Sequence, residues 1–197
     1  MSTDAKSYTV LWDADRCNWL AKSGEIGKPI EVIFGGVHQS VPSLTRFKVK
    51  PGDDVYPVRV HQRVLYVIAR LRVSDIVPLE EYFRTYLKLP KKLLKMDLWD
   101  LEEKLWKDMP ELGHRLPYGC IVEAAIGQGT PMTLHCAVPP GMLESIRYRS
   151  QRGERPIKHV EGGQLQHAIS MHGGVYRLSP DSARDFENLV VSGTYTG

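Results

Sequence analysis

Arg46-Phe47-Lys48-Val49-Lys50-Pro51-Gly52-Asp53-Asp54-Val55-Tyr56-Pro57-Val58-Arg59-Val60-His61-Gln62-Arg63-Val64-Leu65-Tyr66-Val67-Ile68-Ala69-Arg70-Leu71-Arg72-Val73 joins the clearest turn signal in the chain to two strand signals. In Pro51-Gly52-Asp53 the proline presets φ for the first corner, glycine supplies φ > 0, and aspartate can bond the backbone two residues on. In the run that follows, Tyr56, Val58 and Val60 share one face while Val55, Pro57 and Arg59 share the other, the period-2 pattern of a half-buried strand. Pro57 assigns it to a sheet edge or a bulge. In the second run Leu65, Val67, Ala69, Leu71 and Val73 form one apolar face, and Val64, Tyr66, Ile68, Arg70 and Arg72 form the other. One strand over Val64 to Val73 is therefore expected, ending in two arginines that point away from the core. The link through His61, Gln62 and Arg63 has no glycine, so the two runs are expected to pair while the turn type stays open.

Lys50-Pro51-Gly52-Asp53, then a strand, then Val64-Leu65-Tyr66-Val67-Ile68-Ala69-Arg70-Leu71-Arg72-Val73, is similar to the middle of PUA-like domains, the superfamily that holds the PUA, ASCH, EVE and YTH domains. There the turn leads into a strand that carries the chain around a small pseudobarrel. Upstream, Gly27-Lys28-Pro29-Ile30-Glu31-Val32-Ile33 resembles the ASCH signature Gly-x-Lys-x-x-Glu-x-Arg through Lys28 and Glu31. Gly27 stands one place late, and Ile33 occupies the position of the arginine. The resemblance implies an α+β fold built on a small PUA-like β-pseudobarrel with flanking helices. It also implies a nucleic-acid partner, RNA or DNA, read in some members as a modified base. An ASCH-like metal-independent ribonuclease is the alternative it offers.

At 197 residues and 22.3 kDa the chain suffices for one well-buried domain and is short for two, so residues 1–197 are read as a single domain. Its 42% hydrophobic and 25% charged content are those of an ordinary globular protein. Cys17, Cys120 and Cys136 are odd in number and contain no Cys-x-x-Cys, which argues against a disulfide framework and for a reducing cytoplasm. No apolar run is long enough for a membrane span, and Met1-Ser2-Thr3-Asp4-Ala5-Lys6-Ser7 is too polar for a signal peptide. The net charge of +3 permits a nucleic-acid partner without requiring one, so the placement of the charge decides.

In chain order, Tyr8 to Asp13 reads as a strand, Asp15 to Lys22 as a helix stopped by Gly24, and Ile30 to Phe34 as a strand. Beyond Val73 the period changes to 3.6. Pro78 opens a helix through Leu87 with Leu79, Tyr82, Phe83 and Tyr86 inward. Asp97 caps a second helix with Leu94, Leu98, Leu101 and Leu105 on one stripe and Trp99 and Trp106 at its edge. The pair is read as a helical insertion over about 78–110, and its Trp-bearing helices would serve a third reading, a protein-interaction module. Strand grammar returns at Ile121 to Ile126, followed by a Gly127-Gln128-Gly129 turn and a strand from Met132 to Val138. Pro139-Pro140 starts a helix expected to reach about Tyr148, and strands follow at Arg155 to Val160 and Val175 to Leu178. Ser179-Pro180-Asp181 caps a last helix with Ala183, Phe186, Leu189 and Val190 inward. Distant strands would close the barrel.

Arg147-Tyr148-Arg149-Ser150-Gln151-Arg152-Gly153-Glu154-Arg155-Pro156-Ile157-Lys158-His159 sets five Arg and Lys against one Glu. Guanidinium forks suit phosphate oxygens and Tyr148 suits base stacking, so Arg147, Tyr148, Arg149, Arg152, Arg155 and Lys158 are candidate nucleic-acid contacts, joined by Arg70 and Arg72. A solvated basic loop is the plain alternative. Lys88, Lys91, Lys92 and Lys95 form a second basic run, offset by the acids from Asp97 to Glu103. Trp12, Trp19 and Tyr56 are candidates for a base pocket, although a strand tryptophan more often fills a core. His114, Cys120, His135 and Cys136 match no zinc spacing, and no metal or other cofactor is expected. If the chain cleaves RNA, Lys28 and His159 are the candidate proton carriers.

Overall fold

The computed structural model describes residues 5–108, 120–167 and 171–193. In chain order the elements are β1 (Ser7–Leu11), α1 (Ala14–Lys22), β2 (Val32–Gly36), β3 (Asp54–His61), β4 (Val64–Val67), β5 (Leu71–Pro78), α2 (Leu79–Thr85), a 3-10 turn (Leu93–Lys95) and α3 (Leu98–Asp108). They continue with β6 (Ile121–Gly129), β7 (Cys136–Ala137), α4 (Pro140–Ser145), β8 (Arg147–Ser150), β9 (Gly153–Pro156), β10 (Val160–Glu161), β11 (Gln164–Leu165), β12 (Val175–Arg177) and α5 (Pro180–Gly193). The chain is thus mixed α+β, as its grammar implies. No helix among the described residues is long and apolar enough to cross a membrane.

The main sheet runs β12-β1-β3-β5-β6-β2, with β1 parallel to β3 and the other neighbours antiparallel, and β4 branches from β3 to pair with β7. Among the described residues it stays open and does not close into the expected barrel. The opening stretch also departs from its expected form. Instead of one strand over Val64 to Val73, the chain breaks at Ile68-Ala69-Arg70, whose backbone bonds mainly to residues 130–133: Arg70 N donates to Thr130 Oγ1 (2.9 Å), Thr130 N to Arg70 O (2.9 Å) and Thr133 N to Ile68 O (2.9 Å), while Ile68 N donates to Pro57 O (2.8 Å). Leu65 and Val67 then fall in one core, and Ala69, Leu71 and Val73 in another. The alternation reports burial correctly while the face changes at the break. Between β3 and β4 the turn is closed by Gln62 and Arg63, both at positive φ (48° and 67°), as in a type I′ hairpin.

Three clusters fill the interior. Tyr8, Val10 and Trp12 pack with Leu71, Val73 and Leu20 of α1. Tyr56, Val58, Leu65 and Val67 pack under Phe186 and Val190 of α5, along with Tyr148 and Ile157. Val32, Phe34 and Val77 receive Leu79, Tyr82 and Phe83 of α2 and Leu101 and Leu105 of α3. The α2–α3 helical segment therefore lies on the sheet, as its apolar stripe requires. Tyr86 is exposed and stacks on Tyr82 at 5.6 Å instead of pointing inward, and Trp99 is also exposed. The side chains of Leu98 and Trp106, the end of the insertion past Asp108, and His114 lie outside the described residues.

Two further expectations change. Gly127 and Gly129 sit inside β6, not in a turn, because a Cβ at Gly127 would lie 1.9 Å from the Arg72 carbonyl oxygen and one at Gly129 would lie 2.4 Å from that of Ile30. The helix begun at Pro140 ends at Ser145, since Arg147 N donates to Ser182 Oγ (2.9 Å) and Tyr148 bridges to Leu178. Residues 147–150 are consequently a strand.

Candidate nucleic-acid interface

The β8–β9 hairpin is pinned by its one buried side chain. Tyr148 is buried, its hydroxyl is 3.0 Å from Thr9 Oγ1 on β1, and its ring stacks on Tyr176 of β12 with centroids 5.0 Å apart. Burial pushes its phenol well above the ordinary range, against the Thr9 hydrogen bond, so it stays a neutral hydroxyl. The register pairs Tyr148 with Arg155 and Arg149 with Glu154, so Arg149 points to the face opposite Tyr148, while Arg155 shares the Tyr148 face; both arginines are exposed. Gly153 at φ 107° lets the chain turn back after Gln151 and Arg152, and Ser150 Oγ donates to Gly153 O (3.0 Å) across that turn.

A groove runs along this hairpin. Tyr8, Tyr148, Val175 and Tyr176 belong to its walls, together with Arg149, Ser150, Gln151 and Arg155 from the hairpin. Lys6 and Arg177 come from the ends of β1 and β12, and Arg46, Phe47 and Lys48 from the loop before the Pro51-Gly52 turn. Past Arg155 and Tyr176 it continues to Lys158 and His159. Lys6, Arg46, Lys48, Arg149, Arg155, Lys158 and Arg177 thus converge from four separate segments, and among the described residues no Asp or Glu lines the walls. None of these cations belongs to an ion pair among the described residues. Such side chains keep their charge available to an anion.

Buried acids behind the groove hold its backbone in place. Glu123 on β6 accepts hydrogen bonds from Leu44 N (2.6 Å), Thr45 N (3.2 Å), Ser43 Oγ (2.9 Å) and Thr45 Oγ1 (2.6 Å), which fixes the turn that presents Arg46, Phe47 and Lys48. The Tyr8 hydroxyl donates to Lys48 O (3.2 Å), and Lys48 holds a left-handed φ of 67°. Asp53 of the organising turn accepts from Lys50 N (3.1 Å) and Lys6 N (2.9 Å), tying the turn to the start of β1.

Of the residues singled out in the sequence, Arg149, Arg155 and Lys158 line the groove, and Arg152 is exposed at the hairpin tip. Arg147 turns back on α4, donating to the carbonyls of Glu144 (2.7 Å) and Ile146 (2.9 Å). Arg70 and Arg72 lie elsewhere: both Nε atoms meet Asp54 Oδ1, at 2.9 and 2.8 Å, while Arg70 Nη1 reaches Glu187 Oε1 (2.8 Å) and Arg72 Nη1 reaches Gly52 O (2.9 Å). Burial pushes the Asp54 carboxyl above its ordinary range, and the two arginines pull it back. Trp12 and Tyr56 fill different cores, Trp12 beneath the Arg16 guanidinium and Tyr56 against Phe186, while Trp19 is on the surface of α1. The three form no common pocket. Lys28 pairs with Glu25 (2.7 Å) and lines no part of the groove that holds His159. The Lys88 to Lys95 run is exposed on the insertion, away from the groove walls. Cys120 lies beside Val37, His135 is exposed, and Cys136 Sγ faces Leu189 O; among the described residues no three His, Cys, Asp or Glu side chains gather.

Sequence reasoning missed Lys6, Arg46, Phe47, Lys48, Tyr176 and Arg177. A signal was present, because Arg46-Phe47-Lys48 and Tyr176-Arg177 repeat the cation and aromatic alternation of Arg147-Tyr148-Arg149. Comparison with protein families, with curated proteins and with solved structures finds no match to this chain.

Proposed function

We propose that this chain binds a nucleic-acid strand, RNA or DNA, in the groove beside the β8–β9 hairpin. One observation carries the reading: seven cations from separated segments line one groove that, among the described residues, has no acid on its walls. Charge of one sign, held without internal partners, costs folding free energy through self-repulsion, and a polyanion removes that cost. Phe47, 37% exposed, and the half-buried Tyr176 place aromatic rings among the cations, the combination that holds unpaired bases. A single strand is therefore the preferred ligand. The similarity of the Lys50 to Val73 stretch to PUA-like domains agrees with this class of partner, although the sheet is open. The free thiols of Cys17, Cys120 and Cys136 support a reducing, cytoplasmic setting.

Fluorescence anisotropy of labelled single-stranded and duplex oligonucleotides tests the reading. The single strands are expected to bind more tightly, and Phe47→Ala should weaken them by about 1 to 3 kcal/mol, the worth of one stacked base. Absence of binding to any strand, or duplex binding indifferent to Phe47, would overturn it.

A further inference from the structure

At the far end of the groove two imidazoles meet. His159 and His167 stand with ring centroids 5.8 Å apart and planes at 73°, both exposed, and His159 shares the groove wall with Arg155 and Lys158. The backbone beneath them is fixed. The β10–β11 hairpin pairs Val160 with Leu165, and Gln166 N donates to His159 O (2.8 Å), which puts His159 across from Gln166 with His167 as the next residue along the chain. His159 is held at a left-handed φ of 57°. On the other strand, Leu165 N donates to Arg63 O (2.9 Å) and the Arg63 guanidinium bonds Gln166 Oε1, so the β3–β4 turn anchors the segment that carries His167. Two proton carriers on pinned backbone, next to two cations, are the parts that phosphodiester transfer needs without a metal.

We infer that His159 and His167 form an acid–base pair that cleaves RNA bound in the groove, an inference that rests on the nucleic-acid reading above. One imidazole takes the proton of a ribose 2′-hydroxyl, and the O2′ oxygen attacks the adjacent phosphorus. The P–O5′ bond breaks, and the other ring, as imidazolium, gives its proton to the departing O5′. The products are a 2′,3′-cyclic phosphate and a 5′-hydroxyl end, and no further reactant is consumed. Arg155 and Lys158 stabilise the charge that gathers on the phosphoryl oxygens. DNA, which has no 2′-hydroxyl, is bound and left intact.

The experiment incubates the purified full chain in EDTA with a single-stranded RNA oligonucleotide and with the same oligonucleotide 2′-deoxy throughout, while anisotropy records binding of each. Cleavage of the RNA alone, leaving cyclic phosphate ends, is expected. His159→Asn, which accepts the left-handed backbone and moves no proton, and His167→Ala should each slow it by about a hundredfold or more, while affinity falls by no more than about threefold. Binding without cleavage overturns the inference and leaves the binding reading standing. Cleavage that survives both substitutions also overturns it, and failure to bind RNA overturns both.

Discussion

Arg70 and Arg72 reach into one buried carboxylate, Asp54, whereas Arg149, Arg155 and Lys158 face a groove whose walls carry no acid among the described residues. The side chains are of the same kind, and their surroundings give them opposite work. Asp54 is 8% exposed, and Arg70 beside it is 19% exposed, so this network is taken largely out of water and its members hold one another there. The groove cations remain hydrated and repel one another. They add little to folding, and their charge is free for a ligand. A basic side chain becomes evidence for a polyanion only after its internal partners have been counted.

Removing charge from the two regions should have separable effects. Changing Arg149, Arg155 and Lys158 together to Ala deletes three phosphate contacts, and oligonucleotide affinity at moderate salt should fall on the order of a hundredfold while urea stability moves by less than about 0.5 kcal/mol. Unfolding of that variant would mean the groove cations are structural. Arg70→Ala should behave in reverse, costing about 2 kcal/mol because Asp54 keeps only Arg72, with affinity within about twofold of the parent. A loss of binding with no loss of stability would move the interface to the Asp54 edge.

A third variant joins the two halves of the contrast. Glu123→Gln keeps the size of the side chain but weakens its acceptor bonds to residues 43–45, and should cost about 1 kcal/mol of stability. The Arg46-Phe47-Lys48 wall would loosen, so affinity should fall several-fold although no groove cation is touched. Unchanged affinity would show that this wall needs no anchoring by Glu123.

The smallest effect concerns pH. The Asp54 carboxyl is raised in the folded chain, mainly by burial, so the folded state holds this proton more tightly than the unfolded state does. Its contribution to stability is full below the unfolded value, near 4, and is lost as pH rises through the folded value. In Arg70→Ala one of the opposing attractions is gone, and that decline should extend to higher pH. Urea midpoints between pH 4 and 7 would reveal it, and parallel curves for both proteins would contradict it.

Much of the frame was legible because it depends on local pattern. The Pro51-Gly52-Asp53 turn, the buried alternation from Leu65 to Val73 and the apolar stripes of α2, α3 and α5 all follow from neighbours within a few residues. What was not legible depends on distant partners. Nothing local ends α4 at Ser145; Ser182, a residue of α5, draws Arg147 into a strand. The break at Ile68 to Arg70 rests on Thr130 and Thr133, and it interrupts no apolar period. The misplacement of Arg70 and Arg72 is different, because their partner stood in the same quoted stretch: once β3 and β5 pair, Asp54 lies directly opposite Arg72. The groove could not be seen as a whole from sequence, since Lys6, Arg46 and Arg177 meet only when β1 is flanked by β12 and by the loop that Glu123 holds.

The most direct test of the central claim is the salt dependence of single-strand binding in three proteins side by side: the parent chain, Arg149/Arg155/Lys158→Ala and Arg70/Arg72→Ala. For four to seven phosphate contacts the parent should show log affinity falling with log salt at a slope of about −3 to −5, and the groove variant should lose about two units of that slope. The Arg70/Arg72 variant, for as much of it as folds, should keep the parent slope. A flat parent slope, or a slope lost on replacing Arg70 and Arg72 and kept on replacing the groove cations, would contradict the account.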